Sequence, residues 1–154
     1  MFCRRLSVTL DEGPEFGKGE EVNDCLEGFN TKRSIEAFDL LFNVRDYLIA
    51  ETYWSPGLLE HSSHLGPGRD GLFDFVRCLP DSLEYENERV VAENDFVMLY
   101  GRYSGNGTPR NWIVAEMVRL KDGILVEHWS IVQDEPTHAE SRSGLPAFGN
   151  AFPA

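Results

Sequence analysis

Positive charge is scarce in this chain: 14 Lys and Arg stand against 26 Asp and Glu, a formal net charge of −12. Nonspecific nucleic-acid binding needs clustered cations to neutralise phosphates, and a basic pair such as Arg4-Arg5 is too short for that. A nucleic-acid partner is therefore not expected. Long hydrophobic runs are missing as well. Nothing approaches the ~18 apolar residues that span a membrane, and the opening MFCRRLSVTLDEG lacks the continuous apolar segment of a secretory signal. Cysteine is limited to Cys3, Cys25 and Cys78, odd in number, scattered and without a CxxC pair, which argues against a disulfide framework or a zinc site. A cytoplasmic protein is expected. No GxSxG elbow surrounds Ser62, Ser63 or Ser130, and the glycines of GPGRDG follow no strand signal, so neither serine-hydrolase nor dinucleotide chemistry is indicated.

What remains is a chain of 154 residues, 42% apolar and 26% charged, with the length of one ordinary domain. Residues 1–33 are rich in Gly and Glu, carry only a short candidate strand at Leu6–Leu10, and read as a partly disordered extension. Ser34 is a good N-cap. From there Ile35, Phe38, Leu41, Phe42, Leu48 and Ile49 recur at helical spacing to about Tyr53, predicting one long amphipathic helix. A turn or short helix over Leu58–His61 and a helix over Arg69–Leu79 follow. After Asp81 the pattern becomes strands: Tyr85–Ala92, Phe96–Ser104, 113–120 and 124–132. Helices followed by consecutive antiparallel strands predict an α+β domain over 34–136, with a curved sheet wrapped round the long helix. The tail, 137–154, carries Phe148 and Phe152 among Pro and Gly and reads as a pocket lid or a loose end.

The last two strands are the most informative segment. Lys121-Asp122-Gly123 predicts a three-residue hairpin loop, with Leu120 opposite Ile124, Val118 opposite Val126, Glu116 opposite His128 and Val114 opposite Ser130. One face is then apolar apart from Glu116, His128 and Ser130, because side chains alternate with period two. Met117, Leu125, Trp129 and Ile131 fall on the other face, an apolar patch that predicts a homodimer through the outer side of the sheet. A carboxylate opposite an imidazole in an apolar wall is a candidate proton-transfer pair, since burial and mutual charge move both pKa values. A buried structural ion pair is the competing reading. His61 and His64 lie three apart in EHSSH, but the flanking Pro67 and glycines make this a loop with no third ligand, so no metal site is expected.

Phe42-Asn43 with Asp46, TYWSPGLLEHS, RDGLFDFV, VVAENDFVMLY and above all EMVRLKDGILVEHWSIVQDEP resemble the SnoaL-like polyketide cyclase branch of the nuclear transport factor 2-like superfamily, over roughly residues 35–136. The resemblance implies an α+β cone in which helices and a bent antiparallel sheet enclose an apolar pocket. It also implies side-chain chemistry without a cofactor, as in aldol-type cyclases, ketosteroid isomerase, scytalone dehydratase and limonene-epoxide hydrolase. His128-Trp129 matches the branch's Glu-His-Trp wording. His61 falls where the branch often has a Gln-His pair, although Glu60 precedes it here; Glu116 replaces a usual Asp, and Ser130 stands where an Asp is usual. Tyr100 falls where the branch often has a histidine. The expected catalytic set is therefore His128, Glu116 and His61, with Tyr100, Ser130, Trp54, Val118 and Val126 as pocket residues. The expected activity is acid/base chemistry on a hydrophobic, oxygenated small molecule of polyketide or terpenoid type: aldol cyclisation, isomerisation or dehydration. Epoxide opening on the same fold is one alternative, and a noncatalytic ligand-binding or dimerisation module is the other, since Ser130 is what loss of catalysis would look like.

Overall fold

The structure, a computed structural model, describes residues 18–153, with side chains from Cys25 onward; the expected strand Leu6–Leu10 lies outside the described residues. The helical half departs most from expectation. The first helix, α1, runs over Lys18–Phe38, so the expected boundary at Ser34 falls inside it. Ser34 is not a cap: it is fully buried, with its hydroxyl unpartnered. The segment before it is polar and carries Gly28, which costs a helix about 1 kcal/mol against Ala but faces open space here. Nor does the helix continue to Tyr53. A π-helical turn, Asp39–Val44, ends at Arg45 in the left-handed conformation (φ 57°), and Asp46 then caps α2, Tyr47–Ala50, by accepting from the Ile49 N–H at 3.1 Å. The Arg45 guanidinium explains the break, donating to the Leu79 and Pro80 carbonyls at 3.3 and 2.5 Å and to Asp81 at 3.2 Å. Leu48 and Ile49 consequently point to solvent rather than completing an apolar stripe.

Trp54–Glu60 is strand β1, which takes in most of the Leu58–His61 segment expected as a turn or short helix. It is an edge strand, where Pro56 removes no needed ladder donor, and it runs parallel to the last strand. Helix α3, Gly68–Cys78, is where the spacing predicts one. Then come β2 (Glu84–Glu93), β3 (Phe96–Ser104), β4 (Trp112–Lys121) and β5 (Ile124–Asp134), giving one curved sheet in the order β1-β5-β4-β3-β2, antiparallel except for β1 against β5. Phe38, Leu41, Phe42, Leu72, Phe73 and Val76 from the helical layer close on Val97, Leu99, Val114 and Val118 from the sheet. Among the described residues no helix is long and apolar enough to cross a membrane.

The β4–β5 register differs from expectation in a way that matters for the site. The turn is the two-residue Asp122-Gly123, both at positive φ (52° and 76°), so Lys121 rather than Leu120 faces Ile124. Val126 is then bulged out between the Leu120–Leu125 and Arg119–Glu127 pairs. Two offsets compensate: Glu116 and His128 keep a common face but sit diagonally, Glu116 opposite Ser130 and Val118 opposite His128. Leu125 turns inward and is fully buried. α1 fixes both hairpin ends, Asn30 donating to the Asn94 carbonyl at 3.1 Å and Arg33 to the Gly123 carbonyl at 3.1 Å.

Candidate active site

A cavity of about 400 Å³ opens between α3, the π-helical turn and the concave sheet face. Its wall is apolar, with Phe42, Leu72, Phe75 and Trp112 prominent, and its polar groups are Tyr103, Glu116, His128, Ser130 and, at the exposed rim, His64. The sheet lays three ionisable groups in a row at its base. His128, on β5, presents Nε2 to Glu116 Oε2 on β4 at 3.0 Å and Nδ1 to Glu60 Oε2 at the end of β1 at 2.7 Å. All three side chains are 3% exposed or less. The parallel β1–β5 pairing makes this meeting possible: Glu60 is in register with His128, and the His61 N–H donates to the His128 carbonyl at 2.9 Å. Glu60 Oε1 accepts from the Ser62 N–H at 2.8 Å, so both its oxygens are held. On the far side, Tyr103 donates to Glu116 Oε1 at 3.2 Å. Tyr103 packs against Tyr85, ring centroids 4.8 Å apart, and the absent side chain of Gly101 leaves the space that the Tyr85 ring enters. Asn43 holds Tyr85 in place through its backbone, donating to its carbonyl and accepting from its N–H.

Electrostatics assigns proton positions. Burial alone would drive His128 toward the neutral form, but the bonds to Glu116 and Glu60 and their negative charges outweigh it and raise its pKa to about 9. Burial likewise works to raise Glu60, yet its bond to His128 and the imidazolium charge hold it below the usual carboxylate range. Burial, reinforced by the Glu116 charge, pushes Tyr85 and Tyr103 upward, so both phenols keep their protons. At neutral pH His128 is an imidazolium that donates through both ring nitrogens, with a protonated phenol at one end of the row. Edge-on rings of Trp54 and Phe38, centroids 5.7 and 6.0 Å from that of His128, complete the enclosure.

Of the expected site residues, Glu116, His128 and Ser130 line the cavity. The others are placed elsewhere. His61 is on the outer face, stacked on Trp129 at 4.7 Å and bonded to Glu127 at 2.8 Å. Tyr100 also faces outward and donates to the Ala147 carbonyl; the inward phase of β3 belongs to Leu99, Gly101 and Tyr103. Trp54 and Val118 are core residues and the bulged Val126 is half-buried; none of the three lines the cavity. No tail residue lines it either: the tail crosses the outer face, with Phe148 under the Arg102 guanidinium at 4.5 Å and the Ala147 carbonyl accepting from Tyr100. Sequence reasoning missed Glu60 and Tyr103. The signals were present, a carboxylate where the resembling branch has an amide, and a glycine two residues before Tyr103 that sets the inward phase of β3. Among the described residues no group of three or more His, Cys, Asp or Glu is arranged to hold a metal ion.

No family model and no curated relative matches the chain. Solved structures do. A candidate ketosteroid isomerase from Kribbella flavida superposes with a TM-score of 0.67 at 14% identity, covering 86% of this chain and 99% of that one. The fold is nuclear transport factor 2-like, as in a protein from Burkholderia xenovorans that superposes with a TM-score of 0.60 at 13% identity over 71% of this chain and 86% of that one. A candidate SnoaL-like polyketide cyclase from Jannaschia sp. (TM-score 0.60, 18% identity, 81% of this chain and 92% of that one) agrees with this. So does IdmH, a candidate polyketide cyclase from Streptomyces antibioticus (TM-score 0.54, 21% identity, 67% and 91%). In this nuclear transport factor 2-like frame the concave sheet face and the helices form the expected cone, and the Glu60–His128–Glu116 row stands at its base.

Proposed function

We propose that this protein is a cofactor-independent acid/base enzyme acting on a hydrophobic, oxygenated small molecule, with proton abstraction next to a carbonyl as its first step. The observation that carries the reading is the buried Glu60–His128–Glu116 row at the base of an apolar cavity, with Tyr103 on the same carboxylate. Because His128 is held as a cation, Glu116 is the base. It takes a proton from the carbon beside the substrate carbonyl, and the electron pair moves to the carbonyl oxygen as an enolate. Once protonated, Glu116 no longer needs the Tyr103 O–H, which turns from it to donate to that oxygen; Glu60 fixes the His128 ring, and His128 steadies the charge on Glu116 before the transfer. Glu116 then returns its proton: to another carbon of the enolate, to the alkoxide formed when the enolate attacks a second carbonyl, or to a β-hydroxyl that the enolate expels as water, the isomerase, aldol cyclase and dehydratase outcomes of one first step. A positioned base contributes about 10²–10⁴ in rate.

The test is exchange of the α-hydrogens of 2-tetralone with D2O, followed by proton NMR. The protein should accelerate exchange over buffer, and Glu116→Gln should abolish most of the acceleration. Exchange no faster than in buffer, for this ketone and for an open-chain aryl β-diketone, would remove the catalytic reading.

The outer sheet face supports a homodimer. Val91, Met98, Met117 and Trp129 are in register across β2 to β5 and form one row, flanked by the exposed Phe96 and Ile131. Leu125, which faces inward, has no part in it.

A further inference from the structure

A proton that Glu116 takes from carbon can only go back to the same ligand unless the site also trades protons with solvent, and the base of the cavity offers no way out. Glu60, His128 and Glu116 have side chains 3% exposed or less. Both Glu60 oxygens are held, by His128 and by the Ser62 N–H, and Tyr85 and Tyr103 keep their protons. Exchange therefore has to pass the mouth. Phe75, Trp112 and Val132 in the lining cannot carry a proton, and Ser130, across the β4–β5 ladder from Glu116, presents a hydroxyl that passes one on but stores none. His64 differs. Of the polar lining residues it is the most exposed, and an imidazole both takes and gives a proton near neutral pH. Neither of its ring nitrogens is hydrogen-bonded to a described residue; the ring meets Phe75 edge-on, with centroids 5.7 Å apart.

The loop that carries His64 is tied down at both ends. The Ser62 N–H donates to Glu60 Oε1 at 2.8 Å and the Leu65 N–H to the Ser62 carbonyl at 3.2 Å, while Gly66 lies so close to α3 that a Cβ on Gly71 would stand 2.1 Å from its carbonyl carbon. His64 is thus fixed at the mouth by the loop that also holds the outer carboxylate of the row. We infer that His64 is the relay through which the closed site exchanges protons with bulk water. The proton on Glu116 passes through cavity water to a ring nitrogen of His64, which releases it to solvent, and a solvent proton makes the reverse journey; only O–H and N–H bonds change, one proton leaving for each that enters. A water occupies about 30 Å³, so a cavity of about 400 Å³ holds water beside a small ketone. The inference rests on the proposed function, because the proton relayed is the one that Glu116 abstracts.

The experiment is isomerisation of cyclohex-3-enone to cyclohex-2-enone in D2O, followed by NMR at low conversion with the buffer reaction subtracted. Glu116 removes a proton from the carbon between the carbonyl and the double bond and returns one to the far end of the dienolate, so the product keeps the original proton unless exchange with solvent comes first. The wild-type product should be mostly deuterated at the carbon that receives the proton. His64→Gln should lower the deuterated fraction several-fold, and free imidazole added to the variant should restore it. That fraction is a ratio within the product, so a variant that is merely less folded or binds more weakly leaves it unmoved. An equal fraction in wild type and His64→Gln overturns the inference, as does wild-type product that retains its proton or a variant that imidazole does not restore. Absence of any isomerisation above buffer removes the proposed function and this inference with it; catalysed isomerisation with an unchanged isotope ratio removes the inference alone.

Discussion

His128 concentrates the physics of this molecule in one side chain. Its pKa, near 6.5 in an unfolded chain, is raised to about 9 by the two carboxylates. A raised pKa stabilises the fold fully below the unfolded value, and that stabilisation is lost as pH rises through the folded one. Thermal unfolding should therefore occur at progressively lower temperature between about pH 6.5 and 9, with on the order of 3 kcal/mol at stake. Glu60, whose pKa is lowered, acts at the other end, its contribution disappearing as pH falls below the usual carboxylate range. His128→Asn would leave two buried carboxylates facing a group that cannot be cationic. It should cost roughly 3–5 kcal/mol in chemical denaturation, while Glu60→Gln, which leaves an acceptor in place, should cost less. Glu116 and His128 were legible from alternation on an apolar hairpin. Glu60 was not, because its place depends on a parallel pairing between residues 68 apart that no local pattern encodes.

At the level of elements, the strands were readable and the helices less so, for a definite reason. β3 is bounded where the apolar alternation and the Glu93-Asn94-Asp95 turn place it, since a half-buried strand writes its pattern every second residue. The expected long helix combined two unlike pieces, and the break between them is set by Arg45 reaching Leu79, Pro80 and Asp81, contacts absent from the local sequence. Asn43, one residue from the end of the π-helical turn, joins that turn to β2 through two hydrogen bonds to Tyr85. Asn43→Ala should lower stability by about 1–3 kcal/mol by leaving the Tyr85 backbone groups unpaired, and should loosen Tyr103 beside it. Gly123 has a positive φ, and a Cβ there would lie 2.9 Å from the Phe29 ring; Gly123→Ala should also destabilise, by about 1–3 kcal/mol, through strain at the turn and displacement of α1.

On the scale of the whole molecule, the outer sheet face is divided between the tail, which lies over Tyr100 and Arg102, and the apolar row around Met98, Met117 and Trp129. Light scattering at micromolar concentration should report twice the 17.5 kDa of one chain, and Met117→Lys should reduce it to a monomer with the cavity intact; a wild-type mass near 17.5 kDa would refute the dimer. Deleting residues 143–154 should leave cavity binding of neutral ligands within about twofold, because no tail residue lines the cavity, while uncovering Tyr100 and Arg102 on the outer face. The parallel pairing of β1 with β5 reaches further, into biosynthesis. The ribosome finishes Glu60 long before His128, and at about 5–20 residues per second the carboxylate waits several seconds for the imidazole it will face. A nascent chain that stops short of β5 has neither the cation to neutralise that carboxylate nor the strand to bury it, so the Glu60–His128–Glu116 row cannot form on a partly made chain that ends before β5.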